Sequence, residues 1–70
     1  NYSKVTGAVV LSNVPQSSFV RVVDLNGRLL QTESASDNSI RFTLKAGSGL
    51  NIVSLYNYDG RLVKSFKIVK

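Results

Sequence analysis

The sequence predicts an all-β domain, an Ig-like antiparallel β-sandwich of six or seven short strands. Three observations predict it. Apolar and polar residues alternate at period two, and no window carries a sustained helical stripe. Turn signals recur about every 8 to 12 residues, the spacing of short sandwich strands. Finally, one phrase occurs twice, 33 positions apart: Val22-Val23-Asp24-Leu25-Asn26-Gly27-Arg28-Leu29-Leu30 and Leu55-Tyr56-Asn57-Tyr58-Asp59-Gly60-Arg61-Leu62-Val63. Each copy is an apolar run, a polar residue with Gly, an Arg, and a second apolar run, the pattern of a tight hairpin. Asn26-Gly27 and Asp59-Gly60 are expected as the centres of two-residue type I′ turns. Both central residues of such a turn need positive φ, which Gly adopts freely and Asn or Asp tolerates.

The elements follow in chain order. Gly7 to Leu11 is an apolar run, closed by Ser12-Asn13-Val14-Pro15-Gln16, where Pro15 cannot donate a ladder bond and marks a loop or edge. Ser18 to Asp24 is a strand with Val20 and Val22 on one face, and Leu29 to Glu33 completes the first hairpin. Residues 33–38 read as a Ser-rich loop. Ser39 to Leu44 is the clearest half-buried strand: Ile40, Phe42 and Leu44 point one way, Ser39, Arg41 and Thr43 the other. Residues 45–49 form a second loop, in which Gly47-Ser48-Gly49 is a turn, lacking the Lys-Ser/Thr and following helix of a P-loop. Gly49 to Tyr56 repeats the first strand, so Val53 and Leu55 join Val20 and Val22 as core.

Leu62 to Val69 ends the set with a conflict. Leu62, Phe66 and Ile68 share a face, yet period two puts Lys64 there as well, where an unpaired buried ammonium is costly. A bulge near Lys64 or a stem that snorkels to the rim resolves it, and the bulge is the favoured expectation.

Composition narrows the function. Seventy residues make one domain, residues 1–70. A chain of that size buries only about 60% of its unfolded surface and is stable by roughly 3 to 10 kcal/mol. With neither Cys nor His, it has no disulfide, no thiolate or imidazole metal ligand, and no Ser-His or Cys-His nucleophile. No catalytic site, metal or cofactor is expected. No apolar run is long enough to cross a bilayer, and a chain that opens at Asn1 without a basic-then-apolar leader reads as a fragment or a processed piece. A formal charge of +5 favours anionic partners, although the charges are dispersed along the chain.

Asp24 and Asp59 invite a glycosidase reading, but their places in the hairpin phrases assign them to capping of local backbone groups. Glu33 and Asp37 have no further ligand at calcium-site spacing. Arg21, Arg41, Tyr56 and Tyr58 would have to form one basic, aromatic face to bind a nucleic-acid strand, and six aromatics are few for that, so no nucleic acid is expected. A glycan site would draw on Tyr2, Tyr56 and Tyr58. Alternating strand direction puts the two Gly-Arg turns at opposite ends. Arg28, Lys45 and Lys70 are then expected to form a basic pole beside Lys67.

Three stretches together carry a family resemblance: Phe19-Val20-Arg21-Val22-Val23-Asp24-Leu25-Asn26-Gly27-Arg28-Leu29-Leu30, Gly49-Leu50-Asn51-Ile52-Val53-Ser54-Leu55, and Lys64-Ser65-Phe66-Lys67-Ile68-Val69-Lys70. Their order and spacing, from about Ser18 to Lys70, resemble the C-terminal sorting domain of type IX secretion cargo in Bacteroidetes. Asn51 stands where that family has an aromatic residue, and the Pro-Asn-Pro that often precedes the domain is reduced to Val14-Pro15.

The resemblance implies a non-catalytic signal that is recognised in the periplasm by shuttle proteins and the outer-membrane translocon. A sortase-like cysteine protease then removes it, leaving cargo at the cell surface or secreted, often joined to anionic lipopolysaccharide. Lys64, Lys67, Ile68, Val69 and Lys70 are the candidate recognition residues, with Asn26, Gly27, Asp59 and Gly60 as turn scaffold. An exposed edge strand would suit β-augmentation, and it leaves room for weak self-association. The other reading is an Ig-like accessory or carbohydrate-binding module of a secreted enzyme.

Overall fold

The computed structural model describes residues 7–44 and 49–69. They form six strands and no helix: β1 (Ala8–Ser12), β2 (Phe19–Val23), β3 (Leu29–Ser34), β4 (Ser39–Thr43), β5 (Leu50–Tyr56) and β6 (Leu62–Val69). All pairings are antiparallel, and they build two sheets, one of order β3-β2-β5-β6 and one of β1-β4. The result is a small β-sandwich.

Alternation dictates the core. Val20 and Val22 on β2 lie opposite Leu55 and Val53 on β5, and all four are buried. Ile40, Phe42 and Leu44 face them from the small sheet together with Val9. The layers are tied at one end by the loops: Val14 N–H donates to the Asn38 carbonyl at 2.9 Å, and Asn38 Nδ2 donates back to the Val14 carbonyl at 3.0 Å. Pro15 sits in that loop, and its carbonyl accepts the Ser18 N–H.

Both hairpins follow one plan, and it is not the expected type I′ turn. Asp24 and Asn57 accept from Gly27 and Gly60 three residues on, while their own N–H groups donate to the carbonyls of Arg28 and Arg61. Only the glycines have positive φ, +83° and +86°; Asn26 and Asp59 do not. Each loop is therefore a type I turn closed by a glycine bulge. The cause lies at the loop's first residue. Asp24 Oδ1 accepts the N–H groups of Asn26 and Arg28, each at 2.9 Å, and Asn57 Oδ1 accepts those of Asp59 and Arg61, each at 3.0 Å. That carboxylate or amide satisfies two loop donors only in the longer turn. Capping thus belongs to Asp24 and Asn57, and Asp59 does not take the capping role expected of it.

The plan extends beyond the loops. Val22 lies opposite Gln31 but Val23 opposite Leu29, so Leu30 is an extra, bulged residue. Leu55 lies opposite Lys64 but Tyr56 opposite Leu62, so Val63 is bulged in the same way, again 33 positions on. The bulge expected near Lys64 exists, yet it turns Leu62 rather than Lys64. Leu62 shares the outer face with Tyr56 and is exposed, which corrects its assignment to the face of Phe66 and Ile68.

Space around Gly60 is open, so its substitution isolates backbone strain. Gly60→Ala is expected to destabilise by about 1 to 2 kcal/mol, the left-handed penalty, and Gly60→Asn by less. Urea melts of the two variants check this; equal losses would assign the cost to something other than φ.

Candidate functional site

β6 carries most of the candidate recognition residues and is an edge strand: among the described residues no strand pairs with its outer side. Its register with β5 separates those residues by face. Lys64, opposite Leu55, belongs to the inner face; Lys67, opposite Ile52, and Val69, opposite Leu50, belong to the outer one. Lys64, Lys67 and Val69 are exposed. Ile68 lies opposite buried Asn51 and is 6% exposed, so its side chain serves the core. Lys70 lies outside the described residues.

Inner-face Lys64 escapes burial because the small sheet covers the large one unevenly. Its counterpart in the first hairpin is Gln31, 7% exposed, whose Nε2 donates to the Thr43 carbonyl of β4 at 3.2 Å and to Glu33 at 3.2 Å. β4 thus covers the β3 side of the sheet. Over β6 there is instead a groove of about 180 Å³, lined on one side by Leu11, Val14 and Pro15 and on the other by Leu55, Val63, Lys64 and Phe66. The mostly apolar lining meets one cation, Lys64, which has no ion-pair partner among the described residues.

The outer face of the large sheet joins two of the residues expected for a basic, aromatic face, Arg21 and Tyr56, to Phe19, which that expectation left out. Phe19 and Tyr56, directly cross-strand, stack with centroids 5.3 Å apart, and the Arg21 guanidinium lies 5.9 and 5.8 Å from the two rings. Period two already places Phe19 and Arg21 opposite in sense to Val20 and Val22, so the signal was present. Arg41 is on β4 in the other sheet and Tyr58 is in the second loop, so the four residues weighed as a nucleic-acid surface share no single face. Tyr2 lies outside the described residues.

Of the expected basic pole, Arg28 and Lys67 fall among the described residues. Lys45 and Lys70 lie outside the described residues. Arg28 adjoins β3 and Lys67 is on β6, at the two edges of the four-stranded sheet. Three strand spacings, about 14 Å, separate those edges. The Asp24 carboxylate lies 3.3 Å from Arg28 and offsets part of its charge.

Asp24 gives the first hairpin an acid-sensitive joint. The Arg28 backbone N–H foremost, then the Asn26 N–H and the Arg28 charge, hold its carboxyl below the usual carboxylate range against some desolvation. A depressed acid contributes stability above its unfolded pKa of about 3.9 and loses it as pH falls through the folded value. The Arg28 amide resonance is therefore expected to titrate with a midpoint below about 3.9, and Asp24→Asn, which copies Asn57, to abolish that titration while keeping the loop. An NMR pH series reads both, and a midpoint at or above the ordinary value would contradict the cap.

No helix among the described residues is long and apolar enough to cross a membrane. Comparison with protein-family models, curated proteins and solved structures found no match.

Proposed function

We propose that this Ig-like domain is a non-catalytic sorting signal of the type IX secretion class, read through β6. The observation that carries the proposal is the state of that strand. It is a long edge strand whose outer side no described strand occupies, and it displays Lys64, Lys67 and Val69 beyond the second Gly-Arg hairpin. Edge backbone supplies affinity to an incoming strand, and the lysines select among partners while discouraging a second copy of themselves. The proposed readers are periplasmic shuttle proteins and the outer-membrane translocon. A sortase-like cysteine protease would then release cargo at the cell surface. In this proposal the bond-breaking chemistry belongs to that protease.

The test is a fusion of residues 1–70 to a reporter with an N-terminal leader in a type IX-competent host. Surface export is expected, and deletion of Lys67 to Lys70 is expected to leave the reporter in the periplasm. Undiminished export after the deletion overturns the proposal. The glycan-module reading gains no support from the aromatic cluster, because Phe19 and Tyr56 stack on each other instead of lying as a flat row.

A further inference from the structure

The two hairpins are matched in loop, bulge and register, and they differ in what lies over them. At Gln31 the inner face is closed by β4; at Lys64, the equivalent position, it opens into the groove. The second hairpin thus has an apolar recess and, at the same place, an edge that no described strand pairs with. Both belong to β6, and the bulge puts Val63 into the groove wall. A bulge that re-aims side chains beside a recess is a feature of binding rims.

We infer that the β6 edge and this groove together form a docking site for an extended acidic and apolar segment of a partner protein. Register defines the segment. A strand added antiparallel to β6 has one residue opposite each of Lys67, Phe66, Ser65 and Lys64, with cross-strand side chains about 5 Å apart. Opposite Phe66 an apolar side chain extends the inner layer into the groove, whose volume suits one leucine-sized group. Opposite Lys64 on the inner face and Lys67 on the outer face, carboxylates complete cross-strand ion pairs. The partner sequence is therefore acidic, apolar, any, acidic.

Charge favours a foreign segment over a second copy. The chain carries +5, and none of its four acidic residues lies three positions from another, so it does not contain the pattern. Two β6 strands side by side would also bring four lysines to one seam, which opposes self-pairing. Charge selects the partner, and the apolar residue supplies burial.

This inference rests on β6 being the recognised strand, and its test is independent of export. The full chain, labelled with ¹⁵N, is titrated with the capped peptide Thr-Thr-Glu-Leu-Thr-Glu-Thr-Thr. Amide shifts are expected at Val63 to Lys67 and at Leu11 to Val14, with at least tenfold weaker binding when Leu becomes Ser or both Glu become Lys. Lys64→Glu with Lys67→Glu should invert the preference toward the lysine peptide. Both positions are exposed, so the fold survives, as circular dichroism verifies.

Shifts confined to the Phe19 and Tyr56 face, equal binding of acidic and basic peptides, or no shift at millimolar peptide overturns the site. Concentration-dependent broadening of β6 without peptide also overturns it, by assigning the edge to a second copy. Failure of the peptide while export still needs Lys67 to Lys70 discards the groove and keeps the sorting proposal. Peptide binding in a domain whose export ignores that deletion does the reverse.

Discussion

Asn51→Leu is expected to raise the unfolding free energy by about 1 to 3 kcal/mol, the penalty of a buried polar group without a partner. Asn51 is 1% exposed on the inner face of β5, opposite Ile68. Its Nδ2 reaches the Gly49 carbonyl only at 3.5 Å, and its Oδ1 has no hydrogen-bond partner among the described residues. Leucine has nearly the same length, exchanges the orphaned oxygen for methyl contact, and adds apolar burial. Asn51→Asp does the opposite, placing a buried carboxylate where no cation among the described residues pairs with it. It is expected to cost more than about 3 kcal/mol, enough to unfold much of a domain this size at neutral pH. Urea melts followed by far-UV circular dichroism measure both. A destabilised leucine variant with an unchanged denaturant slope would show that the amide is worth more than its orphaned atom suggests.

Ile40→Ala is expected to cost about 2 to 5 kcal/mol, against no more than about 0.5 for Leu62→Ala. The contrast tests the thin layer of the sandwich. Among the described residues two strands face four, and Ile40, 1% exposed on β4 opposite Leu11, helps close the core from the two-stranded side. Leu62, turned outward by the Val63 bulge, is 59% exposed. A loss at Ile40 no larger than at Leu62 would mean that β1 and β4 do not pack on the large sheet as described.

Much of the fold is legible in the chain because alternation is a local property. It puts Val20 and Val22 on one face, the 33-residue repeat adds Val53 and Leu55, and alternation again groups Ile40, Phe42 and Leu44; all are buried. The turn type is not legible in the Asn-Gly and Asp-Gly pairs, which concern two residues, because Asp24 and Asn57 act from two positions upstream. The bulges at Leu30 and Val63 were not readable in detail. Each is apolar like the leucine before it, and ladder geometry, not side-chain type, decides which residue is extra. The groove was invisible for a different reason. It depends on β1 pairing with β4 across most of the first half of the chain, which no local pattern encodes.

The repeated hairpins also set an order of assembly. β2 with β3 and β5 with β6 are the pairings that span only a short loop, and hairpins of that kind close in about 1 to 10 μs. Joining them along β2 and β5 must wait for a much longer stretch of chain to be gathered, a slower entropic search. The barrier is thus expected where the halves meet, at Val22 and Val53, so that Val53→Ala slows refolding, while Leu62→Ala, exposed and nearly neutral, leaves both limbs of the chevron in place. A duplicated phrase that looks like redundancy in the sequence becomes, in time, a pair of prefabricated halves awaiting one rate-limiting encounter.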